Sequence, residues 1–74
     1  MNEFQKKRAV RNLSWRYVDE LRAHSEEEKM QAAQRITNLS EGLSEEDVKG
    51  AREWAHAYRD MERAFWAKVA AAAQ

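Results

Sequence analysis

The chain has 74 residues, 43% of them hydrophobic, with 13 basic and 13 acidic side chains that cancel to a net charge of zero. This is enough for one small domain. The absence of cysteine excludes disulfides and thiolate metal sites, and no apolar run approaches the length of a transmembrane helix.

Thirteen of the hydrophobic residues are alanine, which leaves 19 larger ones. A core of that size supplies only about 3–5 kcal/mol of net stability. Well-formed helices or a second subunit must therefore contribute. Val, Ile and Thr together number six, proline is absent and glycine occurs only at 42 and 50. Strands are rich in β-branched residues, whereas Ala, Arg, Glu, Gln and Lys favour helix. The composition predicts an all-α fold, a small three-helix bundle with a long C-terminal helix, as a single domain over residues 1–74.

The first helix is expected from about Asn2 to Ala23. Val10, Leu13, Tyr17 and Leu21 share one face, with Val18 at its flank. A second face mixes aromatics and arginine: Phe4, Arg8, Arg11, Trp15, Val18 and Arg22. Ser25-Glu26-Glu27-Glu28 then fits a capping box, with Glu28 reaching back to the Ser25 amide. The rival is one unbroken helix over residues 2–40, but the apolar stripe lapses between Leu21 and Met30. The break falls near His24, and the second helix runs from about Glu26 to Ser40 with Met30, Ala33, Ile36 and Leu39 inward.

Gly42 is a good stop, because glycine enters the left-handed region without a Cβ penalty. Ser44 is the next N-cap, flanked by Leu43 and Val48 at the two positions of a hydrophobic staple. The third helix is expected from Glu45 to about Ala72, roughly 42 Å at 1.5 Å per residue. Its inward face reads Val48, Ala51, Trp54, Ala55, Tyr58, Met61, Phe65 and Val69. Glu62 projects into this stripe, its stem packing and its carboxylate reaching solvent or an arginine. Gly50, near the start, is read as a place where another backbone can come close.

Short connections make successive helices antiparallel. The second helix is only about 22 Å long, so the third should rise past the top of the bundle, with Phe65, Trp66 and Val69 uncovered. An exposed apolar stripe of this kind marks an interface. A homodimer, or docking onto another protein, is the expectation; the alternative is that the third helix bends, or that the first helix runs alongside and shelters these residues.

Charge is segregated. Residues 1–24 carry six basic against three acidic groups, residues 25–47 two against seven, and residues 48–74 five against three. Mutual neutralisation within the fold is the simplest account, although a rigid acidic helix can also enter a basic groove. Lys49, Arg52, His56, Arg59 and Arg63 recur at helical spacing and are expected as one stripe opposite the apolar face. With Arg8, Arg11 and Arg22 beside Phe4 and Trp15, they could track phosphates and stack on bases. Against this, a nucleic-acid binder is usually basic overall. The third helix also begins Glu45-Glu46-Asp47, which would aim acids at a DNA groove.

Neither His24, between Glu20 and Glu28, nor His56, between Glu53 and Asp60, resembles a helical zinc motif. There is no nucleophile elbow and no phosphate-binding glycine loop. No catalytic residue, cofactor or metal is expected, and no motif maps residue by residue onto a known family. The function expected is a non-enzymatic protein–protein interaction module: a small regulator, adaptor or inhibitor, similar in size and make-up to accessory proteins of phages and other mobile elements. Nucleic-acid binding through the basic stripes is the alternative. The residues expected to meet a partner are Trp15, Arg52, Arg59, Arg63, Phe65, Trp66 and Val69, and no membrane association is expected.

Overall fold

A computed structural model of the chain describes residues 1–73, and Gln74, the last residue of the expected domain, lies outside them. Three helices follow one another: α1 (Glu3–Arg22), α2 (Glu26–Ser40) and α3 (Glu45–Ala72). Each lies within a residue of its expected bounds, and each start has a chemical reason. Asn2 caps α1 by accepting from the Gln5 amide while the Gln5 side chain accepts from the Asn2 amide, a reciprocal cap that sequence reasoning did not identify. The Ser25 hydroxyl accepts from the Glu28 amide at 3.2 Å. The Glu28 carboxylate, however, accepts from the His24 amide at 3.0 Å rather than from that of Ser25, and Ala23 before it has left helical geometry with ψ 136°. Ser44 caps α3 by accepting from the Asp47 amide at 3.1 Å.

Gly42 has φ +83°, the left-handed conformation that ends α2 and that a side chain disfavours. Leu43 and Val48, the staple pair, both pack on the core. That core joins Leu13 of α1, Ile36 of α2 and Ala51 of α3, with Val10, Tyr17 and Leu39 around it. Val18, Ala32 and Ala55 are also buried. The buried Ser14 hydroxyl donates to the Val10 carbonyl at 2.8 Å, so no polar group is stranded there. Small residues on α3 let the helices approach closely.

α1 is the middle element and packs along both neighbours, while α2 and α3 scarcely touch. Two inward assignments shift as a result. α2 turns Ala32, Ile36 and Leu39 toward α1, a row spaced by four and three residues. Met30 is 70% exposed and Ala33 is exposed: Ile36 and Leu39 face inward as expected, but a strict three-residue spacing drifts around a helix of about 3.6 residues per turn, so Ala32 takes the inward place expected of Ala33. Gly50 has no atom within 4 Å of where its Cβ would stand, so no backbone comes close to it within the protomer.

Candidate protein interface

α1 and α3 run side by side in the same direction, and three cross-contacts fix their register. Lys6 pairs with Asp47 at 3.5 Å, Trp15 meets Trp54 and Tyr58, and Arg22 pairs with Glu62. Each is offset by about 40 positions, as expected of two parallel helices with the same rise. α1 therefore ends level with Glu62. The ten residues of α3 beyond that level continue for about 15 Å without a neighbouring helix. The molecule is correspondingly long, 50 × 28 × 16 Å.

The seam below that level is filled by aromatic and ionic contacts. Trp15 stands edge-on to Trp54 at 5.2 Å and to Tyr58 at 5.0 Å, while Trp54 and Tyr58 stack at 5.3 Å. Such pairs each add about 0.5–1.5 kcal/mol beyond area burial. The Arg22 guanidinium lies over the Tyr58 ring at 5.8 Å and grips Glu62 with two nitrogens, Nε donating to Oε1 at 3.1 Å and Nη2 to Oε2. Arg59 adds a bond from Nη1 to the same carboxylate at 3.3 Å. The hydrogen bonds from Arg22, reinforced by Arg59, hold the Glu62 carboxyl below its ordinary value against the opposing effect of burial. The expectation that Glu62 packs its stem and reaches an arginine is met by two of them.

The expected site residues divide at this level. Trp15 is half-buried in the aromatic cluster. Arg52 lies over the Tyr17 ring at 5.7 Å, and Arg59 is tied to Glu62, with its Nε buried and unpartnered among the described residues. The basic residues therefore do not form one free stripe opposite the apolar face: Tyr17 of α1 engages Arg52, and Glu62 of α3 itself holds Arg59. Arg63 is exposed. Above the level of Glu62, Phe65 is 58% and Trp66 61% exposed, their rings edge-on at 5.2 Å, and Val69 is 41% exposed. Phe65 and Val69 continue the apolar face of α3 and are uncovered, as the overhang implies; Met61, read as inward, lies below the end of α1 yet is 60% exposed, on a side of α3 that α1 does not cover.

Sequence reasoning missed a groove of about 480 Å³ between the first halves of α1 and α3. Val10, Ser14, Trp15 and Trp54 line its apolar part, and Glu3, Lys6, Lys7, Arg11 and Asp47 rim it. The signal lay in the mixed aromatic and basic face of α1, read without knowing that α3 would form the other wall. Neither histidine belongs to a metal-binding group among the described residues, and none of their helices is long and apolar enough to cross a membrane. No protein-family model, curated protein or solved structure matches this chain.

Proposed function

We propose that the chain is a non-enzymatic protein–protein interaction module, a small regulator, adaptor or inhibitor of the kind carried by phages and other mobile elements, which docks through the free end of α3. One observation carries this reading: Phe65 and Trp66 stand together, more than half exposed, on a helix segment that no other described element supports. Large aromatics are the usual anchors of interfaces, and clustered exposure of this kind is rare on a surface with no partner. Arg63, one turn below Trp66, supplies an exposed guanidinium at the rim.

The test compares the wild type with Phe65→Ala and Trp66→Ala in affinity capture from the native host and in self-association. The expected result is a complex, with another protein or with a second copy, weakened about tenfold or more by either change. Complexes indifferent to both changes would overturn the reading. A second reading, nucleic-acid binding, draws on the groove, where Lys7 and Arg11 stand beside Trp15 and Trp54. Phosphate contacts weaken steeply with salt. A mobility shift at low salt that disappears at moderate salt and in Lys7→Glu would favour that reading.

A further inference from the structure

The exposed face of α3 and the groove form one continuous surface. Trp54, a wall of the groove, is 44% exposed, and Met61 and Phe65 are 60% and 58% exposed. These residues are spaced by seven and four positions. Phe65 lies eleven residues, close to three helical turns, beyond Trp54 and so points the same way. Between them on this face lie Ala57 and Ala64, and one turn below Trp54 lies the open Gly50. We propose that this surface is the interface of a two-fold antiparallel homodimer, in which Phe65 of each copy seats in the α1/α3 groove of the other. The pairing rests on the reading of the α3 end as a docking surface and names its occupant.

Spacing selects the direction. Groove and plug are separated by about 16 Å along one helix. If two copies of α3 lie antiparallel with the dyad between residues 59 and 60, both plugs meet both grooves at once, as a closed isologous pair requires. A parallel pair sets plug against plug and leaves both grooves empty. The plug end of this face carries one charged group, Lys68, so the parallel pair also sets Lys68 against Lys68, whereas the antiparallel pair separates them. The groove rim is mixed, with Lys6, Lys7 and Arg11 beside Glu3 and Asp47, and selects neither direction.

Area fits as well. With about 200 Å² for a large side chain, the exposed parts of Trp54, Met61, Phe65 and Val69 provide roughly 400 Å² per copy. The groove wall and the alanines bring this toward the ~800 Å² per partner of a stable interface. The pairing also gives Gly50 a role. Glycine inside a helix is unfavourable relative to alanine, and nothing in the protomer requires it. In the dimer it faces the run Val69–Ala72 of the partner, where two backbones can approach.

Sedimentation of the full chain from low to high micromolar concentration tests the proposal, together with single cysteines placed in this cysteine-free sequence. The wild type is expected to dimerise, and Phe65→Glu to raise the dissociation constant about 30-fold or more while keeping its helical circular dichroism. Met61→Cys, near the dyad, is expected to cross-link to its own copy. Ala72→Cys, about 37 Å from its counterpart in this register, is not. A wild type that stays monomeric throughout overturns the dimer, while a host protein captured through Phe65 and Trp66 would still uphold the docking reading. A dimer indifferent to Phe65→Glu, or one that cross-links through Ala72→Cys, overturns this arrangement.

Discussion

Glu62 is the last point at which α1 holds α3, and its chemistry makes that contact sensitive to acid. Its carboxyl titrates lower in the fold than in the unfolded chain, where a glutamate titrates near pH 4.3, as an approximate reference. The unfolded state therefore takes up the proton first on acidification. The stabilisation is fully present above about pH 4.3 and is lost as pH falls through the folded value. Glu62→Gln keeps the shape but removes the charge. It is expected to lower the thermal midpoint at neutral pH and to flatten its fall between about pH 5 and pH 3, measured by circular dichroism melts across that range. An unchanged acid profile would show that Arg22 and Arg59 hold α3 without help from the carboxylate's charge. Leu13 is the opposite kind of residue: fully buried, apolar and central to the core of all three helices. Leu13→Ala should cost about 2–5 kcal/mol, comparable to the ~3–5 kcal/mol that a core of this size nets. The variant is expected to lose most of its cooperative melting at 25 °C.

At the level of the element, the helix boundaries were legible because they are local. Ser25, Gly42 and Ser44 each act within one turn of chain, through a hydroxyl that meets an amide or a backbone that must turn left-handed. Ser44→Ala is expected to cost about 1 kcal/mol, read as a lower denaturant midpoint with an unchanged slope. Gly50→Ala should do the reverse for the isolated protomer, stabilising it by about 0.5–1 kcal/mol, because its Cβ would enter open space. A destabilised dilute protomer would show that Gly50 is needed inside the fold. Which way each helix faces was less legible, because that depends on neighbours. Met30 and Ala33 were assigned inward from periodicity, but the stripe of α2 is thin and its rotation is decided by where Ile36 meets Leu13 and Ala51. Similarly, Arg52 and Arg59 read as solvent-facing from spacing alone, although the rings and carboxylates that engage them lie on other turns or on α1.

The whole molecule is shaped by a mismatch between two parallel helices, one of 20 residues and one of 28. The sequence reveals the overhang, because helix length follows directly from caps and stops. It does not reveal the groove, which exists only once the register Lys6–Asp47, Trp15–Trp54 and Arg22–Glu62 brings α1 and α3 together. The overhang makes two demands that a truncation can separate. Ending the chain at Ala64 removes Phe65, Trp66 and Val69 but leaves the buried residues, the aromatic cluster and the Glu62 ion pairs in place. At low protein concentration the shortened chain should keep a cooperative melt within about 5 °C of the full chain, the shift expected for about 1 kcal/mol in a domain of this size. At higher concentration the two should diverge. Association that favours the folded state raises the midpoint with concentration, so the full chain's midpoint should climb while that of the truncated chain stays flat. If the shortened chain fails to fold when dilute, the overhang is part of the protomer's own core and its exposed aromatics are not a docking surface. If both midpoints stay flat, the segment contributes to neither folding nor self-association, and the homodimer is overturned.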